Sequence, residues 1–135
     1  MGNTETELKQ IIEKAFDEKA NDPNVVQKKE VQEAVYTTLE HLDKGEVRVA
    51  SPPRDFNSDW EVNSWVKKAI LMYFPLQKMQ VMQAGDIEYW DKIPLKKDYG
   101  SQGVRVVPPA VARYGAHLEK GAVMMPSYVN IGAYV

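Results

Sequence analysis

The sequence predicts an α+β fold, in which a helical domain with a small hairpin is followed by the first coil of a β-helix. Three observations predict it. Three stretches before residue 77 carry apolar residues at helical spacing, and an alternating segment lies between the second and third of them. After Pro109, small and aliphatic residues recur every six positions. We expect residues 1–107 to form the helical domain and residues 108–135 to begin the hexapeptide-repeat domain.

The first helix is predicted from a capping box. The Thr4 side chain can accept a hydrogen bond from the backbone three residues later, and Glu7 can reach back to Thr4. The segment 21–24, Asn-Asp-Pro-Asn, breaks the helix. One apolar stripe follows the cap at helical spacing: Leu8, Ile11, Ile12, Ala15 and Phe16.

The second helix is predicted over residues 27–43. Gly45 suits the stop, since glycine adopts the left-handed conformation that ends many helices. His41 lies near this end, and we interpret it as a partly exposed surface histidine rather than a catalytic base. The residues predicted to face the core are Val31, Ala34, Val35, Leu39 and Leu42.

A hairpin and a third helix are predicted next. Residues 46–50 alternate like a strand, and residues 60–62 supply the returning arm. Asn63 or Ser64 caps the helix, and Pro75 ends it. The buried face is predicted to contain Trp65, Val66, Ala69, Ile70 and Tyr73.

Residues 77–103 lack a clean period, and we interpret them as a connecting region with one short strand at residues 79–82. Tyr89 and Trp90 are expected to pack in the core or between domains, because aromatic side chains bury large apolar surfaces. We expect all three tryptophans, the others being Trp60 and Trp65, to belong to the core of the helical domain.

The tail has a period of six. Gly115, Gly121, Ser127 and Ala133 are all small, and the position two residues after each of them reads His, Val, Val, Val. This period fits neither a helix nor a hairpin array and is typical of a β-helix, with one strand and one turn per repeat. We expect the valine set to point inward and His117, its first member, to lie on the end of the coil.

Composition excludes several classes of function. The net charge of −2 argues against a mainly electrostatic binder of nucleic acid. No apolar run approaches the ~20 residues that span a bilayer, and no export signal is seen, so we expect a cytoplasmic protein without a membrane partner. The chain has no cysteine, and its two histidines are far apart, so we predict no disulfide, thiolate nucleophile or metal site.

The segment from Gly103 to Val135, "GVRVVPPAVARYGAHLEKGAVMMPSYVNIGAYV", closely resembles the tetrahydrodipicolinate N-succinyltransferase family. The upstream blocks "LDKGEVRVA", "WEVNSWVKKAILMYF" and "YWDKIPLK" resemble the family's blocks in the same order. The resemblance implies a left-handed β-helix and a homotrimer. It also implies acyl transfer from succinyl-CoA to the amine of ring-opened tetrahydrodipicolinate, a step of lysine and diaminopimelate biosynthesis.

The resemblance further implies that this chain is the N-terminal part of the enzyme. Family members continue through many more coils, so the catalytic residues are expected beyond Val135 and none within this chain. We therefore expect the chain alone to be inactive and to bind no cofactor. Two alternatives stay open: a non-catalytic helical interaction module, and another hexapeptide acyltransferase with a different acyl donor.

By the same resemblance, Arg105 matches the arginine that binds the dicarboxylate substrate. A guanidinium pairs with a carboxylate through two parallel hydrogen bonds, so the chemistry suits the role. Arg48 also lies in a Val-Arg-Val segment, and nothing in the sequence alone separates the two arginines. Four further lysines are possible helpers for an anionic ligand, although their role is not predicted: Lys67, Lys68, Lys92 and Lys96.

Overall fold

The computed structural model describes residues 4–55 and 57–135. Its first part contains α1 (Glu5–Glu18), a 3₁₀ helix (Pro23–Gln27), α2 (Lys29–Lys44) and α3 (Ser64–Leu76). The 3₁₀ helix occupies part of the segment predicted as a simple break. The predicted capping box is present, since Glu7 N–H donates to the Thr4 hydroxyl and Thr4 N–H donates to the Glu7 carboxylate. Gly45 ends α2 in the left-handed conformation, as predicted.

The three helices pack around one apolar core. Each predicted stripe faces inward, and Leu8, Ile12, Leu39 and Met72 are fully buried. Burying one such side chain contributes about 1.5–3 kcal/mol. Ile93, from the chain after α3, joins the same core, so the helical core is completed by a residue outside the helices.

Two antiparallel hairpins flank α3. β1 (Ala50–Ser51) pairs with β2 (Glu61–Val62), which confirms the predicted small hairpin in a shorter form. The Asn63 side chain makes no helix cap. It donates instead to the Arg48 carbonyl at 2.9 Å and to the Ser51 hydroxyl at 3.0 Å, and so ties the hairpin to the start of α3.

The second hairpin was not predicted. β3 (Gln80–Ala84) and β4 (Ile87–Asp91) pair from Gln80–Asp91 to Ala84–Ile87, across a turn at Gly85 and Asp86. The prediction of a connecting region with a single strand is therefore wrong for these residues. The expectation that all three tryptophans are buried is also wrong: Trp65 is 3% exposed, but Trp60 is 60% and Trp90 is 64% exposed.

The last third of the chain forms short parallel ladders. A four-residue helix, α4 (Tyr99–Gln102), leads into β5 (Arg105–Val106), which pairs with β7 (Val123–Met124). β6 (Val111–Ala112) pairs with β8 (Tyr128–Val129), and His117 forms a parallel bridge with Tyr134. Every one of these pairs joins residues 17 or 18 positions apart.

Two of the three valines predicted to point inward lie outside the interior of this segment, and only Val129 packs against its buried cluster. Val123 is 55% and Val135 is 53% exposed, whereas Ala112, Leu118 and Met124, also six apart, are buried. The predicted inward column is thus out of phase by one residue at positions 117 and 123, where Leu118 and Met124 are buried instead. Leu118 and Met124 are longer than valine, and they fill the space between the ladders together with two further buried residues, Val104 and Ala116.

Two of the contacts that attach this segment to the rest of the molecule are polar clusters. Arg113 lies at one of them: its guanidinium is 3.0 Å from the Asp91 carboxylate and 3.3 Å from the Asn130 side-chain oxygen. The other contact surrounds Asp43, at the end of α2. Over residues 4–55 and 57–135, no helix has the length and apolarity needed to cross a membrane.

Candidate functional site

Arg105 is the first residue of β5, and its side chain is exposed. Its N–H donates to the Ala122 carbonyl at 3.0 Å, and its strand partner is Val123. The preceding residue, Val104, is 6% exposed, so the backbone alternation turns the Arg105 side chain away from the interior. Among the residues that the structure describes, no carboxylate forms an ion pair with Arg105. The guanidinium is therefore accessible to an anion from solution.

Arg48, the second arginine in a Val-Arg-Val segment, lies in a different environment. Its Cζ is 3.2 Å from the centroid of the Tyr134 ring, and its Nη2 is 4.0 Å from Glu119 Oε1. The side chain is 29% exposed. A guanidinium stacked on an aromatic face and paired with a carboxylate already has its partners. The two arginines, which have the same neighbours in the sequence, thus differ in the structure by the partners of their side chains.

Tyr134 belongs to a stack that includes His117. The Tyr134 hydroxyl lies 2.6 Å from Glu119 Oε1, and the His117 ring centroid lies 4.7 Å from that of Tyr134. His117 Nδ1 is 3.2 Å from the Asp43 carbonyl oxygen. The ring also covers Gly45 so closely that a Cβ there would lie 2.7 Å from it. His117 therefore packs the last part of the chain against the end of α2.

Lys96, one of the four possible helper lysines, is buried. Its Nζ donates to Asp43 Oδ1 at 2.7 Å and to the Asp43 carbonyl at 3.2 Å, and 2% of its side chain is exposed. Gly115 N–H donates to the same Asp43 Oδ1 at 2.9 Å. This cluster links the end of α2 to the final segment. Lys96 is accordingly a structural cation, and it is inaccessible to a ligand.

The other helper lysines do not converge on Arg105. Lys68 Nζ lies 3.9 Å from an Asp17 oxygen and 5.4 Å from the centroid of the Phe16 ring, so it lies between α3 and α1. Lys67 is exposed on α3 and Lys92 is half-buried after β4. None of these three is brought to the Arg105 surface by a described contact.

Two tyrosine hydroxyls near the Asp43 cluster have raised pKa values. Burial raises the pKa of the Tyr114 hydroxyl, and the negative charge of Asp43 raises it further. Burial is also the main cause that raises the pKa of the Tyr99 hydroxyl, again with a contribution from Asp43. Both phenols are therefore neutral near pH 7. His41, interpreted as a surface residue, is partly exposed and contacts Glu46.

Comparison with known proteins agrees with the resemblance of the sequence. The family model described as the tetrahydrodipicolinate N-succinyltransferase N-terminal region matches residues 7–76, slightly more than half of the chain. The residues matched cover α2, α3, the first hairpin and all but the first two residues of α1. They do not include Arg105.

Relatives extend the match to nearly the whole chain. A 2,3,4,5-tetrahydropyridine-2,6-dicarboxylate N-succinyltransferase of Variovorax paradoxus is 44% identical over 133 residues, which is 94% of this chain and 47% of the relative. Proteins with the same name from Delftia acidovorans and Paraburkholderia phymatum are 46% and 44% identical, and 47% and 48% of their lengths are covered. The chain spans about half the length of these relatives and belongs to the tetrahydrodipicolinate N-succinyltransferase family, of which it represents the N-terminal region.

Proposed function

We propose that this chain is the N-terminal part of an enzyme that transfers a succinyl group from succinyl-CoA to the amine of ring-opened tetrahydrodipicolinate. The names of the relatives support the reaction and its acceptor. The reaction would serve lysine and diaminopimelate biosynthesis in the cytoplasm. It requires donors for the oxyanion of the tetrahedral intermediate and cations for the substrate carboxylates.

We also propose that the parallel ladders are the first coil of a left-handed β-helix. The support for this proposal is the spacing of the paired residues. Two successive ladders and the His117–Tyr134 bridge each join residues 17 or 18 positions apart, which is close to the 18 residues of one turn of three six-residue repeats. The boundary between the two domains, predicted to lie between residues 107 and 108, would then lie a few residues earlier. Because β5 already pairs with β7, the β-helix unit is better begun near Val104.

Arg105 is the proposed contact for a substrate carboxylate, and one observation carries this assignment. Its guanidinium is exposed and has no ion pair within residues 4–55 and 57–135, while Arg48 is stacked on Tyr134 and lies near Glu119. A free guanidinium on a rigid strand can form two parallel hydrogen bonds with a carboxylate. Arg48 would have to leave its present partners to do the same.

The remaining parts of the machinery are proposed for the half of the relatives that this chain does not span. That half would supply the catalytic groups and the surface for succinyl-CoA, and the assembled enzyme would be a homotrimer. Accordingly, the 135-residue polypeptide assayed alone would transfer no succinyl group. Release of CoA by this polypeptide in the presence of the dicarboxylate would contradict that statement.

The experiment compares two arginine variants in a full-length protein that contains this chain. Arg105→Ala should raise the KM for the dicarboxylate by about ten- to a hundredfold, the value of a hydrogen-bonded charge contact. The matched control, Arg48→Ala, should alter the KM much less and act mainly on stability. Equal effects on the KM would remove Arg105 from the site. Acetyl-CoA tested beside succinyl-CoA distinguishes the alternative of a different acyl donor.

A further inference from the structure

The surface beside Arg105 contains a second cation, Lys120. Two backbone hydrogen bonds fix the neighbourhood: Gly121 N–H donates to the Gly103 carbonyl at 2.9 Å, and Arg105 N–H donates to the Ala122 carbonyl at 3.0 Å. The segment that begins at Lys120 therefore runs parallel to the segment that begins at Gly103. The structure thus brings Lys120 close to the start of β5, although 15 positions of sequence separate it from Arg105.

Gly103 leaves room for the Lys120 side chain to pack against the backbone. Gly103 has a φ of +69° and no side chain, and the aliphatic part of Lys120 occupies the space that a Cβ would need. A Cβ at this position would lie 2.9 Å from Lys120 Cγ and 3.6 Å from both Cδ and Cε. Gly103 precedes Arg105 by two residues, a distance of roughly 7 Å along an extended chain. The Lys120 stem is thus held within a short distance of the Arg105 backbone.

Both cations are free to bind an anion. Both side chains are exposed, and no carboxylate in the described part of the chain forms an ion pair with either. Arg48, Arg113 and Lys96, by contrast, each have an acidic partner. Two cations on adjacent parallel segments without an acidic partner create a positive potential that attracts anions.

We propose that Lys120 binds the second carboxylate of the dicarboxylate substrate, beside the carboxylate that Arg105 binds. The inference rests on the proposed function. One guanidinium satisfies one carboxylate through two hydrogen bonds, and a dicarboxylate leaves a second anion that needs its own partner. An ammonium group on a packed stem supplies it as a point charge. The pair Arg105 and Lys120 then selects dicarboxylates over monocarboxylates.

The test uses three variants of a full-length protein that contains this chain. Lys120→Met removes the charge and keeps a stem that packs on Gly103, while Lys120→Arg keeps the charge. Lys78→Met is the matched control, because Lys78 is also exposed and precedes β3 on another part of the surface. The assay follows release of CoA and gives kcat and KM for the dicarboxylate and for succinyl-CoA, with thermal unfolding as the check on folding.

Lys120→Met should raise the KM for the dicarboxylate about tenfold or more and leave the KM for succinyl-CoA unchanged. Lys120→Arg should restore most of the affinity. A monocarboxylate analogue should bind Lys120→Met and the unaltered protein equally well. If Lys120→Met folds poorly, Lys120→Gln takes its place and is compared with Lys78→Gln on the two analogues, because glutamine also removes the charge and keeps a side chain that can pack on Gly103.

Two results would overturn the inference. The first is an equal KM for the dicarboxylate in Lys120→Met and Lys78→Met, and the second is a raised KM for succinyl-CoA alone, which would assign Lys120 to the phosphates of CoA. Either result, obtained with an active unaltered protein, leaves the proposed function intact. An unaltered full-length protein without succinyl transfer would instead overturn the proposed function itself.

Discussion

Lys96 Nζ lies 2.7 Å from Asp43 Oδ1, and only 2% of the Lys96 side chain and 22% of the Asp43 side chain are exposed. Asp43 Oδ1 also accepts the Gly115 N–H, and the Asp43 carbonyl accepts from Lys96. One carboxylate at the end of α2 therefore holds both the segment that follows β4, through Lys96, and the turn between β6 and β7, through Gly115. Removal of either partner leaves a largely buried charge without compensation.

Lys96→Met should lower the free energy of unfolding by about 2–3 kcal/mol, below the range for fully buried pairs because Asp43 retains some contact with water. Methionine keeps the apolar part of the side chain, so the loss of stability measures the contribution of the ion pair between Lys96 and Asp43. The measurement is urea unfolding followed by circular dichroism. Lys14→Met is the control: Lys14 is 79% exposed and 3.9 Å from Glu18, and its loss should cost less than about 0.5 kcal/mol. Equal losses in the two variants would contradict the structural role of Lys96.

Gly45→Ala should destabilise the protein for two reasons. Its φ of +76° is unfavourable for any residue with a Cβ, and that Cβ would lie 2.7 Å from the His117 ring. Gly85→Ala isolates the first reason, because Gly85 has a φ of +63° and nothing within 4 Å of its Cβ position. We expect a loss of about 1 kcal/mol for Gly85→Ala and an additional loss of about 1–3 kcal/mol for Gly45→Ala.

A double-mutant cycle with His117→Ala checks the steric part of this prediction. Removal of the ring relieves the clash, so the penalty of Gly45→Ala should fall toward that of Gly85→Ala. An unchanged penalty in the His117→Ala background would mean that the contact between Gly45 and His117 does not limit the packing of α2 on the final segment.

Tyr73 predicts a pH dependence of stability. Burial raises the pKa of its hydroxyl to about 12, and the side chain is 4% exposed. Because the folded pKa is above the unfolded value of about 10, the contribution of Tyr73 to stability is complete below pH 10 and is lost as the pH rises toward 12. One pKa unit corresponds to about 1.4 kcal/mol, so the loss amounts to at most roughly 3 kcal/mol.

The measurement compares Tyr73→Phe with the unaltered protein from pH 8 to about 12. Phenylalanine keeps the ring and has no titrating group, so its stability should fall less steeply above pH 10. The lysines and the other tyrosines titrate in both proteins and cancel in the difference. Parallel curves would show that the Tyr73 hydroxyl reaches solvent in the folded state.

The helices were predictable because their signals are local. Thr4 and Glu7 form the capping box that their spacing predicts, and Gly45 ends α2 with a positive φ. The apolar stripes of α1, α2 and α3 define the core. Each of these features depends on residues within one or two turns of the chain, where spacing and side-chain chemistry determine the outcome.

The hairpin of β3 and β4 was missed although a signal existed. Gly85-Asp86 is a two-residue turn pair between five-residue strands, a pattern typical of a β-hairpin. Apolar residues occur on both strands without strict alternation, so the periodicity alone does not indicate strands in this region. The exposure of Trp90 follows from the same geometry, because it lies opposite Val81 on an uncovered face of the hairpin.

The contacts among Asp43, Lys96 and Gly115 could not have been predicted from the sequence. The three residues are up to 72 positions apart, and neither charge pattern nor spacing brings them together. The phase of the six-residue period also depended on packing, because Leu118 and Met124 fill the interior better than the valines one position away. Arg48 and Arg105 have the same local sequence, and only the positions of Tyr134 and Glu119 distinguish them.

The uneven burial of the tryptophans has a spectroscopic consequence. Trp65 lies in the helical core, whereas Trp60 and Trp90 lie on the two hairpins and are open to solvent. Iodide should therefore quench the emission of the two outer indoles and spare the inner one. A fluorescence titration then reports loosening of the helix bundle separately from changes at the hairpins, without any introduced dye.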